Sequence, residues 1–167
     1  MSRVLKWLGL TLAALVAMVA LIAGVARFSH GPIGPFPGGA LEGRAEPAPA
    51  DWSFAEQTSN IAIEVDPENP RSVTAGLVIY EKRPYVAATW AARKTWPHIA
   101  ERDPRVRVRV EGRIFELNAV RVDDPALHSA LARLIGEKYG ATGGSLAADS
   151  GTWIFRLDPR ERGASGA

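Results

Sequence analysis

The sequence predicts an α+β domain, a mainly antiparallel β-barrel with one packing helix, preceded by a single N-terminal transmembrane helix. Three observations carry this reading. Runs rich in Val, Ile, Thr and Tyr recur between turn-forming residues from Ile61 onward, the clearest being the two alternating runs on either side of Glu111 and Gly112. One amphipathic helical pattern follows them, with Leu127, Leu131, Leu134 and Ile135 on one face. Finally, no ionisable side chain stands between Lys6 and Arg27.

That uncharged run, Trp7 to Ala26, reaches roughly 30 Å as a helix, the thickness of a bilayer's hydrocarbon core. Its length favours a retained anchor over 1–27. A cleavable signal peptide is the alternative, since a basic start (Arg3, Lys6) and a small-residue end (Gly24, Val25, Ala26) suit both. Arg3 and Lys6 precede the span and only Arg27 follows closely. The positive-inside bias therefore places the N-terminus in the cytoplasm and the domain on the extracytoplasmic side of the cell membrane, the inverted orientation being the alternative. Residues 28–51 alternate proline and glycine (Pro32, Pro35, Pro37, Pro47, Pro49 with Gly31, Gly34, Gly38, Gly39, Gly43) and read as a tether that lets the domain stand off the bilayer. The domain itself is expected at 52–158, and the small, polar residues 159–167 read as a disordered tail.

Within the domain, Ile61, Ile63 and Val65 alternate with Ala62 and Glu64 as a half-buried strand does, until Asp66 to Arg71 breaks the run. Ser72 to Glu81 and Tyr85 to Trp90 form a predicted hairpin around Lys82, Arg83 and Pro84. A two-residue turn at Glu111-Gly112 sets Val110 opposite Arg113, Val108 opposite Phe115, Arg107 opposite Glu116 and Val106 opposite Leu117. Val106, Val108, Phe115 and Leu117 then share a core face, and Arg105, Arg107, Arg109, Glu116 and Asn118 share the other. Asp123 or Asp124 caps a helix that carries Pro125 in its first turn and ends near Tyr139 and Gly140. After the loop ATGGSLAADSG, Thr152 to Leu157 supplies a last strand.

The chain holds 20 Lys and Arg against 18 Asp and Glu. With Arg3, Lys6 and Arg27 set aside at the span, 17 basic residues face 18 acidic ones, a net of −1, so nucleic acid is not an expected partner. No cysteine is present, which excludes disulfides and thiolate chemistry. His30, His98 and His128 are scattered without a ligand partner at i+3 or i+4, and no metal site is expected.

The stretch TWPHIAERDPRVRVRVEGRIFELNAVRV, with a short helix around Trp96 to Glu101, then Asp103-Pro104-Arg105-Val106 and the Gly112 hairpin, resembles the split-barrel superfamily. That superfamily includes pyridoxamine-phosphate-oxidase-like flavoproteins and deazaflavin-dependent nitroreductases. The resemblance extends loosely from Trp52 to Leu157. Trp96, eight residues before Pro104, looks like the tryptophan of the deazaflavin group's W-x-x-N-L-x-x-x-P signature. Ile99 departs from the asparagine usual there, and Arg93 and Lys94 lie just before Trp96 rather than at the oxidase group's phosphate-binding lysine. The resemblance implies a homodimer with FMN or a 5-deazaflavin coenzyme in a groove at the barrel interface. The cofactor would then carry the hydride chemistry, so no triad or catalytic carboxylate pair is required of the chain, and none is found.

Arg93 and Lys94 are the candidate ligands of a cofactor phosphate, at the start of the short helix where unpaired backbone N–H groups add to anion binding; a solvated basic turn is the plain alternative. Trp96 is the candidate to stack on a ring, or else a core residue. The Arg105, Arg107 and Arg109 stripe fits an anionic ligand, an acidic partner or lipid headgroups, or simply a polar sheet face on which Arg107 pairs with Glu116. Three functions follow: a membrane-anchored flavin- or deazaflavin-dependent oxidoreductase with a quinone or nitro acceptor, a non-catalytic ligand- or partner-binding barrel of the envelope with no cofactor, or a structural envelope protein.

Overall fold

The computed structural model describes residues 2–140 and 151–160. Of the expected loop at 141–151 only Gly151 is described, and of the expected tail at 159–167 only Pro159, which belongs to the last strand, and Arg160. Helix α1 (Ser2–Arg27) contains one stretch, Leu5–Arg27, long and apolar enough to cross a membrane, with none of its most apolar window buried against the rest of the chain.

The strands are β1 (Ala45–Glu46), β2 (Asn60–Val65), β3 (Arg71–Tyr80), β4 (Arg83–Ala88), β5 (Arg105–Val110), β6 (Arg113–Arg121) and β7 (Trp153–Pro159). Six of them close in the order β6-β5-β2-β3-β4-β7, every pairing antiparallel, and β7 returns to β6. The β5–β6 hairpin has the expected register, Val110 with Arg113, Val108 with Phe115 and Val106 with Leu117. Its turn residues Glu111 and Gly112 sit at φ 50° and 79°, the double positive φ of a type I′ turn, which matches the strands' own twist. Val106, Val108, Phe115 and Leu117 are buried inside the barrel with Ile63 and Leu77.

The β3–β4 hairpin turns earlier than expected. Glu81 and Lys82, at φ 48° and 65°, form its two-residue loop, and Arg83 and Pro84 belong to β4. Proline is tolerated because position 84 is a non-hydrogen-bonded partner of Ile79. Its missing N–H lies on the side where β7 pairing begins only at Tyr85.

Two further helices cover the barrel, α2 (Thr95–Arg102) and α3 (Pro125–Tyr139). Asp124 caps α3, its carboxylate accepting from the Ala126 N–H at 2.9 Å, and Gly140 ends it in the left-handed conformation at φ 66°. Leu131 and Ile135 pack on Val78, Tyr85 and Ile154 in a second apolar cluster outside the barrel.

The segment expected to be a tether is packed. Residues 28–44 form a collar against the barrel, and β1 then pairs parallel to β6 at Ile114 and Phe115. Leu41 is buried. Its N–H donates to Glu64 at 2.5 Å, and its carbonyl accepts from Arg107 at 2.6 Å. Arg107 also donates to the Gly43 carbonyl at 2.8 Å, and Arg109 to that of His30 at 2.7 Å. Four of the five glycines read as flexibility, Gly31, Gly38, Gly39 and Gly43, serve close packing instead. A Cβ on Gly38 would stand 2.0 Å from the Gly31 carbonyl oxygen, where the collar crosses itself.

Candidate functional site

Strand β4 ends at Ala88, and the chain turns through Trp90, held at φ 52°, into a 3₁₀ turn, Ala91–Arg93. The Ala91 N–H donates to the Gly151 carbonyl at 2.9 Å, and the N–H groups of Arg93 and Lys94 close the turn on Trp90 and Ala91. Lys94 is then extended, at φ −111° and ψ 138°, and serves as the N-cap of α2 without a side-chain cap bond. The first N–H groups of α2 therefore keep their partial positive charge for another acceptor. Pro97, which has no N–H to satisfy, suits the first turn.

This corner borders a cavity of about 350 Å³. The α2 side supplies Arg93, Lys94, Thr95 and Trp96; β3 supplies Arg71, Val73 and Thr74; the collar supplies Gly34, Pro35 and Pro37. Among the described residues, three cationic side chains line it and no carboxylate does. Among the described residues, neither Arg71 nor Arg93 makes an ion pair or a side-chain hydrogen bond, and the Lys94 ammonium has a single long contact, 3.5 Å to the Thr89 hydroxyl. Burial lowers the Lys94 pKa from the ordinary lysine value, because the charged form loses water without gaining a carboxylate. An anion entering the cavity would supply what is missing.

Arg93, Lys94 and Trp96 thus come together, but not in equal roles. Trp96 is 5% exposed, and its indole packs on Phe155 with centroids 5.6 Å apart. Trp96 thus packs into the core while also bordering the cavity. Ile99, half-buried, packs against the same core. Arg71 is the residue that sequence reasoning passed over, absorbed into the breaker Asp66 to Arg71. Its basic charge at the first position of a strand was the available signal, but nothing local reveals that β3 starts beside α2.

The arginine stripe divides. Arg105 is held by Asp103 at 2.6 Å, which lowers the Asp103 pKa through that hydrogen bond. Arg107 and Arg109 hold the collar's carbonyls, as described above. Arg107 keeps the expected pairing with Glu116 at 3.9 Å but lies nearer to Glu64, at 3.6 Å. Arg107 and Arg109 thus fix the collar to the sheet, and the stripe is not an idle polar face.

The histidines lie apart. His30 contacts Glu42 at 3.0 Å, His98 packs edge-on against Trp153, and His128 is buried with Nε2 at 3.2 Å from the Thr152 carbonyl. His128 borders a smaller cavity of about 210 Å³ with Arg121 and Trp153. The Arg121 guanidinium lies 3.9 Å over the Trp153 ring and is paired with Glu101 at 2.5 Å. Among the described residues, no three His, Asp or Glu side chains are grouped to hold a metal ion.

No protein-family model matches the chain, and no curated protein does. Solved structures are similar. A conserved hypothetical protein from Mycobacterium tuberculosis superposes with a TM-score of 0.54 at 16% identity, over 71% of this chain and 86% of its own. The heme storage protein HutZ from Vibrio cholerae gives 0.52 at 20% identity, over 65% and 86%. A candidate pyridoxamine 5′-phosphate oxidase from Listeria innocua gives 0.51 at 12% identity, over 65% and 90%. The fold is a split barrel. Most of each neighbour's length is matched, so the likeness covers the split barrel as a whole rather than one hairpin. In this split barrel the cationic cavity is bordered by β3, the start of α2 and the collar.

Proposed function

We propose that this split barrel is membrane-anchored and binds a flavin-type cofactor, FMN or a 5-deazaflavin, through its phosphate at Arg71, Arg93 and Lys94. The observation that carries the reading is the unpaired cationic wall at the uncapped start of α2. Three cations with no acid among the described lining residues, one of them a desolvated lysine, fit a phosphate. A cavity of about 350 Å³ accommodates the phosphate-bearing end, and the ring would extend beyond it. When bound, such a cofactor supplies hydride chemistry. The chain's own residues bind the phosphate, exclude water and orient the ring toward a quinone or nitro-type acceptor.

In this reading α1 is the single-pass anchor, the barrel lies on the extracytoplasmic side because Arg3 and Lys6 precede the span, and a homodimer covers the cofactor ring. The test is fluorescence titration of the full chain in detergent with FMN and with a deazaflavin. Replacing Arg93 and Lys94 together by alanine is expected to weaken binding at least about tenfold, since each charge-assisted hydrogen bond contributes about 1.5–3 kcal/mol. Failure of the unaltered protein to bind either compound overturns the reading.

The burial of Trp96 against Phe155 favours a second reading, a non-catalytic barrel that holds a phosphate-bearing ligand without turning it over. Bound flavin that a chemical reductant reduces, but that no quinone or nitro acceptor reoxidises faster than buffer does, distinguishes the two.

A further inference from the structure

We infer that the barrel is seated on the bilayer surface as one body with α1, with the turn at residues 66–70 and the Arg71 wall of the cavity at headgroup level. The inference rests on the reading of α1 as a membrane span. Ala26, the last residue of the uncharged run, is fully buried. The next residue already grips the barrel: the Arg27 guanidinium donates to Asn69 Oδ1 at 2.8 Å and to the Pro70 carbonyl at 3.2 Å. The collar then closes on itself where the Gly39 N–H meets the Ser29 carbonyl at 2.9 Å. Gly38 and Ser72 exchange backbone hydrogen bonds in both directions, at 2.9 and 3.0 Å. No free linker separates the apolar run from the barrel.

A run as long as the hydrocarbon core must end at the headgroups, and whatever holds Arg27 must lie there too. Pro70 leads directly into Arg71. One residue advances a strand by about 3.3 Å, so the cationic wall stands within about a Debye length, roughly 8–10 Å, of the headgroup plane. Phe28, the residue after the span, is 87% exposed and suits the lipid interface. The acids of the turn are turned to other partners, Glu68 lying 3.9 Å from Arg105 and Asp66 accepting the Asn69 N–H. The partner of this face is the lipid surface itself. Strand β3 then runs about 30 Å from Arg71 to Tyr80, so the turn at Glu81 and Lys82 marks the far end.

The absence of cysteine makes the test direct. Single substitutions Leu15→Cys, Glu68→Cys and Glu81→Cys, each carrying a fluorophore, are placed in the full chain. The protein is reconstituted in vesicles of phosphatidylcholine and phosphatidylglycerol, with nitroxide-labelled lipid as quencher. Strong quenching at 15, together with quenching several-fold greater at 68 than at 81, is the expected result. Quenching at 15 with equal values at 68 and 81 overturns the docking and leaves the span intact. No quenching at 15 overturns the span and the docking with it.

Discussion

The β5–β6 hairpin and the collar at 28–44 meet on the same arginines, yet they are held by opposite means. The hairpin is held by side chains: Val106, Val108, Phe115 and Leu117 point inward and are buried. The collar is held by its backbone. Arg107 and Arg109 take its carbonyls, Glu64 takes one N–H, and Leu41 is its one deeply buried hydrophobic side chain. The first arrangement prints a period of two on the sequence. The second prints nothing on the segment that is captured, because every residue type offers the same carbonyl.

The largest expected effect tests the side-chain half of this contrast. Phe115 has no exposed surface and touches Trp52 at 4.9 Å between centroids. Phe115→Ala is expected to cost about 3–5 kcal/mol, by lost transfer energy and the cavity left behind, and to lower the denaturant midpoint of the whole barrel. A loss under about 1 kcal/mol would mean that the barrel core is not the source of stability.

The backbone half is tested at Glu64. It faces outward on β2, opposite Arg107, and is buried only because the collar lies over it. Glu64→Ala leaves the Leu41 N–H without its acceptor and the Arg107 guanidinium without its nearest carboxylate. The expected cost is about 2–3 kcal/mol, somewhat below that of a fully buried pair because Arg107 keeps partial access to water and a distant Glu116. The loss should be local. Limited proteolysis is expected to cut within 28–44 while the barrel's thermal midpoint moves little. A variant that unfolds as a unit would show that the collar and the barrel are one cooperative structure.

This contrast also accounts for what was legible beforehand. The β5–β6 register, its turn and the cap and stop of α3 could be read because each depends on neighbours in sequence: alternation, Glu111-Gly112, Asp124-Pro125 and Gly140. The β3–β4 turn was displaced because Pro84 looked like a breaker, and its tolerance depends on where the distant β7 starts pairing. The tether reading failed for a related reason. Glycine permits flexibility and close approach equally, and only the crossing of Gly31 and Gly38 distinguishes them. At the site, Arg93 and Lys94 were visible as a basic pair before a helix. Arg71 was not, because its partnership with them is made through the sheet.

The smallest effect concerns Lys94, where one side chain divides between burial and ligand. Its pKa is lowered by desolvation alone, so free Lys94 gives up its proton earlier than an ordinary lysine as pH rises. A phosphate needs the charged form. Affinity for FMN is therefore expected to be full at neutral pH and to fall as pH rises through the lowered Lys94 value, before the ordinary lysine value near about 10.4 is reached. The phosphate's own second ionisation, near about pH 6, is complete before that window and does not confuse it. Lys94→Arg keeps a charge that does not titrate there, and should abolish the decline while preserving affinity at neutral pH. Arg93→Ala should instead lower affinity by the same factor at every pH. An unchanged decline in Lys94→Arg would place the titrating group elsewhere and remove Lys94 from the site, leaving its burial as a matter of packing alone.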